Sequence, residues 1–503
     1  MTPPAAPAAA PPAEPDLLPA AFLGDLPVED FLRHGHELVE WVGRYFADPG
    51  RYPVLPRVAP GDVRAQLPPS PPPNAEPLGE ALADAERVLV PGLTQWNHPG
   101  FFAYFANSST AAGTLGELLA AALNVNAMLW KTAPAATELE LVAVDWLRQL
   151  LGLGEGWHGH INDTASSGTL VALAAAREAD PALAVRERGT AGRADLPALR
   201  VYCSEHAHSS VDKAAITLGI GHANVVKVGA DAALRMRPDL LARAVAEDRA
   251  RGMRPLAVVA TAGTTSTAAV DPTAEVAAVC REAGAWLHVD ASYGGAAAAV
   301  PELRAHVLGG VEHADSLVVN PHKWLFTPMD CSVLWVRRPD VVRRAFALVP
   351  DYLVTAEQGE AVNLMDYGVA LGRRFRALKL WMVLRTFGAE GVAERVRYHC
   401  QLAREFAGWV AAEPGWAMAA PVSLSLACFR YAPAGLAAAE HDALGERILD
   451  RVNRSGEVYL SHTRLAGRHV LRLAVGNVRT ERRHVARAWA LLREAAAALR
   501  PGA

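Results

Sequence analysis

Between about residues 107 and 375, six short apolar runs alternate with segments of helical spacing. The runs span residues 199–203, 224–228, 256–261, 286–290, 316–320 and 332–336. Such alternation is typical of a parallel sheet covered by helices on both faces, so the sequence predicts an α/β domain at 107–377. In open sheets of this kind, ligands bind at the carboxyl ends of the strands, and several of these runs end in polar residues.

The N-terminal part of the chain has a different pattern. Residues 1–22 consist largely of Ala and Pro, which predicts a disordered tail. Helical spacing over 25–47, a proline-rich run at 68–73 and a second helix ending near residue 89 predict a helical segment at 23–106. These short helices have little core of their own, so we expect them to pack on a partner subunit or on the rest of the chain.

The C-terminal part predicts a smaller α+β domain at 378–503. A long helix is expected over 392–412 and a final helix over 481–499. Short strands are expected near 424–431 and 469–475.

Composition excludes several kinds of partner. The 503 residues carry 49 basic and 53 acidic side chains without a long block of one sign, which argues against a nucleic-acid surface. The five cysteines are scattered and never form a CxxC spacing, so we expect no disulfide framework and no zinc ribbon, and a cytoplasmic compartment. The longest apolar stretch, 108–130, is interrupted by Glu117 and two asparagines, which predicts a buried helix rather than a membrane span.

Two residues at strand ends indicate the chemistry. Asp290 ends the run 286–290, and a buried carboxylate needs a partner such as a protonated pyridine nitrogen. Lys323 follows the next run between His322 and Trp324, where desolvation would lower the pKa of its amine, as Schiff-base formation requires. Alone, Asp290 could be a loop or helix-capping residue and Lys323 a solvated lysine. Together they indicate pyridoxal 5′-phosphate (PLP).

Further segments extend this pattern. His208, in the segment 202–210, follows a strand, where an imidazole can stack on an aromatic cofactor. His206 nearby invites a metal site, but no third ligand, HExxH or CxxC accompanies the pair. Small and hydroxylic residues at 162–169 open a helix whose amides suit a phosphate, although any Ser/Thr-rich helix start looks similar. The glycine-hydroxyl turn at 262–266 suits a cofactor substituent.

With these segments, the chain resembles the group II PLP-dependent amino-acid decarboxylases, most closely their aromatic-L-amino-acid decarboxylase branch. The likeness runs from about residue 25 to the C-terminal helix. The motifs that carry it are Thr94-Gln95-Trp96, Phe101-Phe102-Ala103-Tyr104-Phe105, Thr137-Glu138-Leu139-Glu140, Ala207-His208-Ser209-Ser210, His288-Val289-Asp290-Ala291, Asn320-Pro321-His322-Lys323-Trp324 and Leu371-Gly372-Arg373-Arg374-Phe375. The resemblance implies the aspartate-aminotransferase-like fold (fold type I), with a mainly parallel seven-stranded sheet, a small C-terminal domain and an N-terminal dimerisation segment.

The resemblance also implies a role for each residue of the cofactor site. Lys323 would form the Schiff base, Asp290 would pair with the pyridinium nitrogen and His208 would stack on the ring. Thr265 would support the ring substituents. The residues expected to hold the phosphate are Ala165, Ser166 and Asn320.

Tyr352 bears on the reaction type. In the family, a loop tyrosine at this place is linked to protonation of Cα after carbon dioxide leaves, whereas similar aldehyde-forming enzymes tend to carry phenylalanine. With Lys323, His208 and Tyr352 as the catalytic set, the resemblance implies decarboxylation of an L-amino acid to its amine. The alternatives are a decarboxylating aldehyde synthase, a decarboxylase of histidine or glutamate, and a catalytically silent dimeric binding protein.

The expected substrate is aromatic. Trp96, Tyr104 and Phe105 keep an aromatic wall, Gly372 matches members that admit bulky rings, and Met128 can pack adaptably on such a substrate. We therefore expect tryptophan, 5-hydroxytryptophan, DOPA, tyrosine or phenylalanine, without a ranking.

Several residues depart from the family pattern. Asn126 and Met128 replace an isoleucine and a phenylalanine that the neighbouring subunit contributes to the pocket. Ala106-Asn107 replaces a Pro-Thr pair near the substrate carboxylate, and Ser292 replaces a usual alanine beneath the ring. The resemblance implies an obligate homodimer with shared active sites, and we expect no nucleic acid, membrane or metal partner.

Overall fold

The structure is a computed structural model that describes residues 24–348 and 361–499. Its contacts separate two units, the chain up to Asp48 with Val58–Gly92, and Pro49–Arg57 with the chain from Leu93 onward. The tail expected at 1–22 and Tyr352 lie outside the described residues. The domain boundaries expected from the sequence stay predictions.

The smaller unit is helical. It contains α1 (Val28–Ala47) and α2 (Leu78–Asp84), and a π turn at Ala85–Leu89 and a 3-10 turn at Val90–Gly92 continue α2. No residue of α1 is buried, and several of its apolar side chains, such as Phe31 and Leu32, are exposed in the single chain.

A seven-stranded, mainly parallel sheet forms the centre of the larger unit. Its strands are β1 (His158–Asn162), β2 (Leu199–Ser204), β3 (Val225–Val228), β4 (Arg254–Thr261), β5 (Trp286–Asp290), β6 (Ser316–Val319) and β7 (Ser332–Val336), in the order β1-β7-β6-β5-β4-β2-β3. Only β7 runs antiparallel to its neighbours, β1 and β6. All six expected strands and the mainly parallel sheet are confirmed. The expectation missed β1 because its sequence, HGHIN, contains no apolar run.

Helices cover both faces of the sheet. The remaining helices are α3 (Ala111–Leu123), α4 (Pro134–Leu150), α5 (Ala165–Glu178), α6 (Val185–Arg188), α7 (Ser210–Thr217), α8 (Pro238–Ala250), α9 (Thr273–Ala283), α10 (Pro301–Leu308), α11 (Pro321–Trp324), α12 (Pro339–Phe346), α13 (Ala377–Ala412), α14 (Ala438–Asn453) and α15 (Arg482–Leu499). In β4, Ala257 and Val259 pack in one core with α5 and α7, whereas Val258 and Ala260 pack in the other with α8 and α9. This alternation is the two-residue period of a strand buried on both faces.

The C-terminal part contains a four-stranded antiparallel sheet. Its strands are β8 (Trp416–Met418), β9 (Leu426–Tyr431), β10 (Ser461–Leu465) and β11 (Arg468–Ala474), in the order β10-β11-β9-β8. The expected strands correspond to β9 and β11, whereas β8, β10 and α14 were not expected. Helix α13 begins 15 residues before the expected position 392 (392 minus 377), because it continues through a kink at Gly388, where φ is 65°.

The expected buried helix over 108–130 is wrong for the single chain. Helix α3 ends at Leu123, since Asn124 adopts a left-handed conformation with φ of 44°. Its leucines face outward, and Leu118, for example, is 53% exposed. The apolar composition of α3 therefore does not reflect burial within one chain.

Candidate active site

Loops at the carboxyl ends of five strands bring the expected site residues to one edge of the sheet. These strands run parallel to one another, because β1 and β6 are both antiparallel to β7. β1 leads to Ala165 and Ser166, β2 to His208, β4 to Thr265, β5 to Asp290, and β6 to Asn320 and Lys323. This edge is where ligands bind in open α/β sheets.

Lys323 lies in the short helix α11, directly after β6. Its backbone N–H donates to the carbonyl of Asn320 at 3.0 Å, and its Nζ lies 5.8 Å from the centre of the Phe105 ring. Burial lowers the pKa of the Lys323 amine, and the charge of Asp290 opposes this shift. The lowered pKa favours the neutral amine that must condense with an aldehyde.

Asp290 is the last residue of β5 and is 5% exposed. Its Oδ1 accepts hydrogen bonds from the backbone N–H of Ser292 at 3.1 Å and from the Ser292 hydroxyl. Its negative charge raises the pKa of both Lys323 and His208, against the desolvation that lowers them. The structure therefore brings the expected carboxylate, amine and imidazole into one electrostatic cluster.

His208 lies just before α7. Its Nδ1 accepts a hydrogen bond from the Ser210 backbone N–H at 3.1 Å and lies 3.0 Å from the Ser210 hydroxyl. Because Nδ1 is an acceptor here, the neutral ring carries its proton on Nε2. Desolvation lowers the pKa of His208, which favours this neutral form. Across the described ranges, no group of three or more His, Cys, Asp or Glu side chains could hold a metal ion.

The start of α5 fits a phosphate. Thr164 precedes this helix but its side chain caps no backbone N–H group, so the first-turn amides at Ala165 and Ser166 are open to an anion. Asn320 is 3% exposed, and its Oδ1 has no hydrogen-bond partner among the described residues. The other orientation of this amide would place NH₂ there, as a phosphate oxygen requires.

The turn that carries Thr265 is held by an arginine that sequence reasoning missed. Arg472, in β11, is 4% exposed, and its guanidinium donates to the carbonyls of Thr265 and Ser266, each at 2.8 Å. It also donates to the hydroxyl of Ser461 at 2.7 Å. The sequence feature that could have identified this residue is its charge within the otherwise apolar segment 470–474.

The sequence also did not predict a stack of aromatic rings next to Lys323. Phe105 and Tyr293 stack with centroids 3.6 Å apart, and Tyr293 and Trp324 stack at 4.7 Å. Trp324 then donates its indole N–H to Nδ1 of His399 at 2.9 Å. No sequence signal pairs these residues, because they come from four separate segments.

The expected substrate residues fall into two groups. In the first, Trp96 and Tyr104 have ring centroids 6.2 Å apart, and the Tyr104 hydroxyl lies 3.0 Å from that of Tyr459. Phe105, next in sequence, is the ring that faces Lys323. This group therefore reaches the expected cofactor residues through Phe105.

Met128 and Gly372 form the second group, around Asn126. The Asn126 Oδ1 accepts from the backbone N–H of Arg373 at 3.0 Å, and its Nδ2 lies 3.5 Å from the Met128 sulfur. Arg373 forms a two-point ion pair with Glu140 at 2.7 and 3.2 Å. The contacts of this group are with one another rather than with Lys323.

Comparison with known proteins identifies the relatives of this chain. Residues 60–432 match the pyridoxal-dependent decarboxylase conserved domain. The chain is 40% identical to tyrosine decarboxylase 2 of Arabidopsis thaliana over 92% of this chain and 86% of the relative. It is 37% identical to phenylacetaldehyde synthase of a Rosa hybrid cultivar over 94% of both.

Solved structures give the same result. The crystal structure of Oryza sativa TDC with PLP and tryptamine superposes with a TM-score of 0.91 at 36% identity, covering 95% of this chain and 99% of the other. The lysine with a lowered pKa, the buried carboxylate beside it and the uncapped helix start all fit PLP. The chain belongs to the family of pyridoxal-dependent decarboxylases.

Proposed function

We propose that this enzyme removes the carboxyl group of an aromatic L-amino acid, releasing the amine and carbon dioxide, with PLP held at Lys323. The observation that carries the proposal is the grouping of Lys323, Asp290 and His208 at the carboxyl edge of the sheet, next to the ring of Phe105. The similarity to tyrosine decarboxylase 2 over most of both chains supports it.

Bound PLP supplies an electron sink for the electron pair left on Cα when the carboxylate departs. Lys323 contributes a neutral amine, favoured by its lowered pKa, to hold the cofactor. Asp290, a buried carboxylate, would hold a proton at the ring nitrogen, and the neutral imidazole of His208 would cover the ring. Tyr352 donates its phenolic proton to Cα and so directs the reaction to the amine.

The product distinguishes this function from its nearest alternative. One relative is named as an aldehyde synthase and another as a decarboxylase, so overall similarity does not separate the two outcomes. The presence of tyrosine rather than phenylalanine at position 352 supports the amine as the product. The test incubates purified enzyme with L-phenylalanine or L-tyrosine and measures amine, aldehyde, ammonia and hydrogen peroxide. Amine as the main product, and a shift towards aldehyde in Tyr352→Phe, is expected; aldehyde with ammonia from the unaltered enzyme would contradict the proposal.

The aromatic wall supports the substrate class. Trp96 and Tyr104 present partly exposed rings that stack on each other, and such rings can also stack on an aromatic substrate. The same assay with tryptophan, 5-hydroxytryptophan, DOPA, histidine and glutamate checks the class. Turnover confined to histidine or glutamate would contradict it.

We further propose a homodimer with shared active sites. Helices α3 and α4 expose a set of large apolar side chains in the single chain, and such patches mark interfaces. They are Leu115, Leu118, Leu119, Leu123, Leu141, Val142 and Trp146. A second copy is the occupant that would also bring the group around Asn126 to the neighbouring Lys323, as the family resemblance implies.

Subunit complementation tests this arrangement. Lys323→Ala removes the cofactor lysine, and Asn126→Trp fills the pocket that the same subunit offers to its partner. Each homodimer is expected to be inactive, whereas the purified heterodimer contains one site with both residues intact and regains about half of the unaltered activity. A heterodimer as inactive as both parents would contradict shared sites, and a monomer by light scattering would contradict the dimer.

We place the enzyme in the cytoplasm. All five cysteines are free and buried, which is compatible with a reducing compartment. Among the described helices, none has the length and apolarity needed to cross a bilayer.

A further inference from the structure

Ser292 binds the carboxylate of Asp290 through two donors. Its backbone N–H lies 3.1 Å from Oδ1 of Asp290, and its hydroxyl donates to the same oxygen. Both residues are buried, with Ser292 7% and Asp290 5% exposed. Because both donors use Oδ1, this pairing leaves Oδ2 for another partner.

The backbone of Ser292 also reaches the segment that carries Lys323. Its carbonyl accepts from the N–H of Asn320 at 3.1 Å, and the Asn320 carbonyl accepts from the N–H of Lys323 at 3.0 Å. Ser292 is therefore hydrogen-bonded both to the Asp290 carboxylate and to the backbone of the segment that carries Lys323. Only the side-chain contact of Ser292 depends on the residue type, since any residue other than proline supplies the same backbone N–H and carbonyl.

We propose that Ser292 is a positioning residue for PLP, whose hydroxyl holds the carboxylate of Asp290 oriented towards the ring nitrogen. This inference rests on the proposed function, in which Asp290 pairs with that nitrogen. A donor to an ionised carboxylate stabilises its charged form, and a charge-assisted hydrogen bond is stronger than a neutral one. An alanine at this position would lack the hydroxyl and would leave only the backbone N–H to bond Oδ1 of Asp290.

Ser292→Ala removes one oxygen atom and tests the proposal directly. The first measurement is the PLP dissociation constant of the full-length protein, which is expected to rise about tenfold when a hydrogen bond to a charged group is lost. The second is the absorption spectrum of bound PLP. Without the hydroxyl, Asp290 is held less firmly towards the ring nitrogen, so the absorption band of bound PLP is expected to change position.

Two further variants separate positioning from packing. Ser292→Thr keeps a hydroxyl and is expected to restore both the dissociation constant and the position of the absorption band. Ser316→Ala removes another buried hydroxyl, which bonds to Trp286 and His288 rather than to Asp290, and is expected to leave both unchanged.

The outcomes are distinguishable. A Ser292→Ala variant with an unchanged dissociation constant and an unchanged absorption band would overturn the proposal. Equal changes in Ser316→Ala, or a threonine variant that behaves like alanine, would also overturn it. Asp290→Asn serves as the reference: if it too leaves PLP binding and the spectrum unchanged, the assignment of Asp290 fails and the proposal fails with it. If Asp290→Asn weakens PLP binding and Ser292→Ala does not, only the role of Ser292 is overturned.

Discussion

The indole N–H of Trp324 donates to Nδ1 of His399 at 2.9 Å, and this bond links the residue after Lys323 to the middle of α13. Both side chains are buried, at 0% and 2% exposure. Burial lowers the pKa of His399 to about 3, so its ring is neutral and Nδ1 is free to accept. This long-range contact holds the segment that contains Lys323 against the C-terminal part of the fold.

Replacing His399 by phenylalanine is expected to destabilise the protein, because the indole N–H of Trp324 would be buried without an acceptor. The cost of such a group is about 1–3 kcal/mol. Urea unfolding of the holoenzyme measures it, with His399→Gln, which keeps an acceptor, as the matched control. Equal stability of the phenylalanine and glutamine variants would show that the hydrogen bond contributes little.

Acid is expected to destabilise the fold through four buried histidines. Burial lowers the pKa of His160 and His399 to about 3 and of His288 and His322 to about 4, below the ordinary value of 6.5. Between the folded pKa values and 6.5, the unfolded chain binds more protons than the folded chain. The free energy of unfolding is therefore highest above about pH 6.5 and falls as the pH decreases below it. Each histidine contributes a slope of up to about 1.4 kcal/mol per pH unit.

Urea unfolding at pH 7, 6 and 5 checks this slope. His160→Gln removes one of the four titrating groups and is expected to flatten the decline. A free energy of unfolding that is constant from pH 7 to pH 5 would contradict the prediction.

The ion pair between Arg373 and Glu140 is expected to be important for stability. Their side chains are 8% and 2% exposed, and Glu140 also accepts from the N–H of Ile161 at 2.8 Å. Removing one member of a buried pair leaves a charge without its partner, so Arg373→Ala should lower the free energy of unfolding by about 3–5 kcal/mol. Arg454, in an exposed pair with Asp450, is the control, and Arg454→Ala should cost less than about 1 kcal/mol. Similar losses in the two variants would refute this ranking.

Borohydride reduction followed by peptide mass spectrometry tests Lys323 as the point of PLP attachment. The holoenzyme is expected to retain PLP on the peptide that contains Lys323, since the lowered pKa of this amine favours condensation with an aldehyde. Lys323→Arg keeps a positive charge but should show no attachment and no measurable turnover. Labelling of another lysine in the unaltered enzyme would contradict the assignment.

The sequence alone was sufficient for the features that depend on local pattern. The apolar runs of β2 and of β4 to β7 are buried on both faces, so each of these runs is recognisable as a strand without knowledge of its neighbours. Asp290 ends one such run and Lys323 follows the next. Because parallel strands end at the same edge of a sheet, the sequence predicts that the two residues lie close together. Strand β1 was not predicted, because its polar sequence has no such apolar run.

The tertiary structure decided the contacts between distant segments. Arg472 reaches the turn of Thr265, and His399 reaches Trp324, across more than 70 positions of sequence. The exposure of Leu118 likewise follows from how α3 packs and not from its composition. Local spacing specifies which face of a strand or helix is apolar. Which residues then meet depends on the packing of whole elements, and that packing determined what surrounds Lys323 and Asp290.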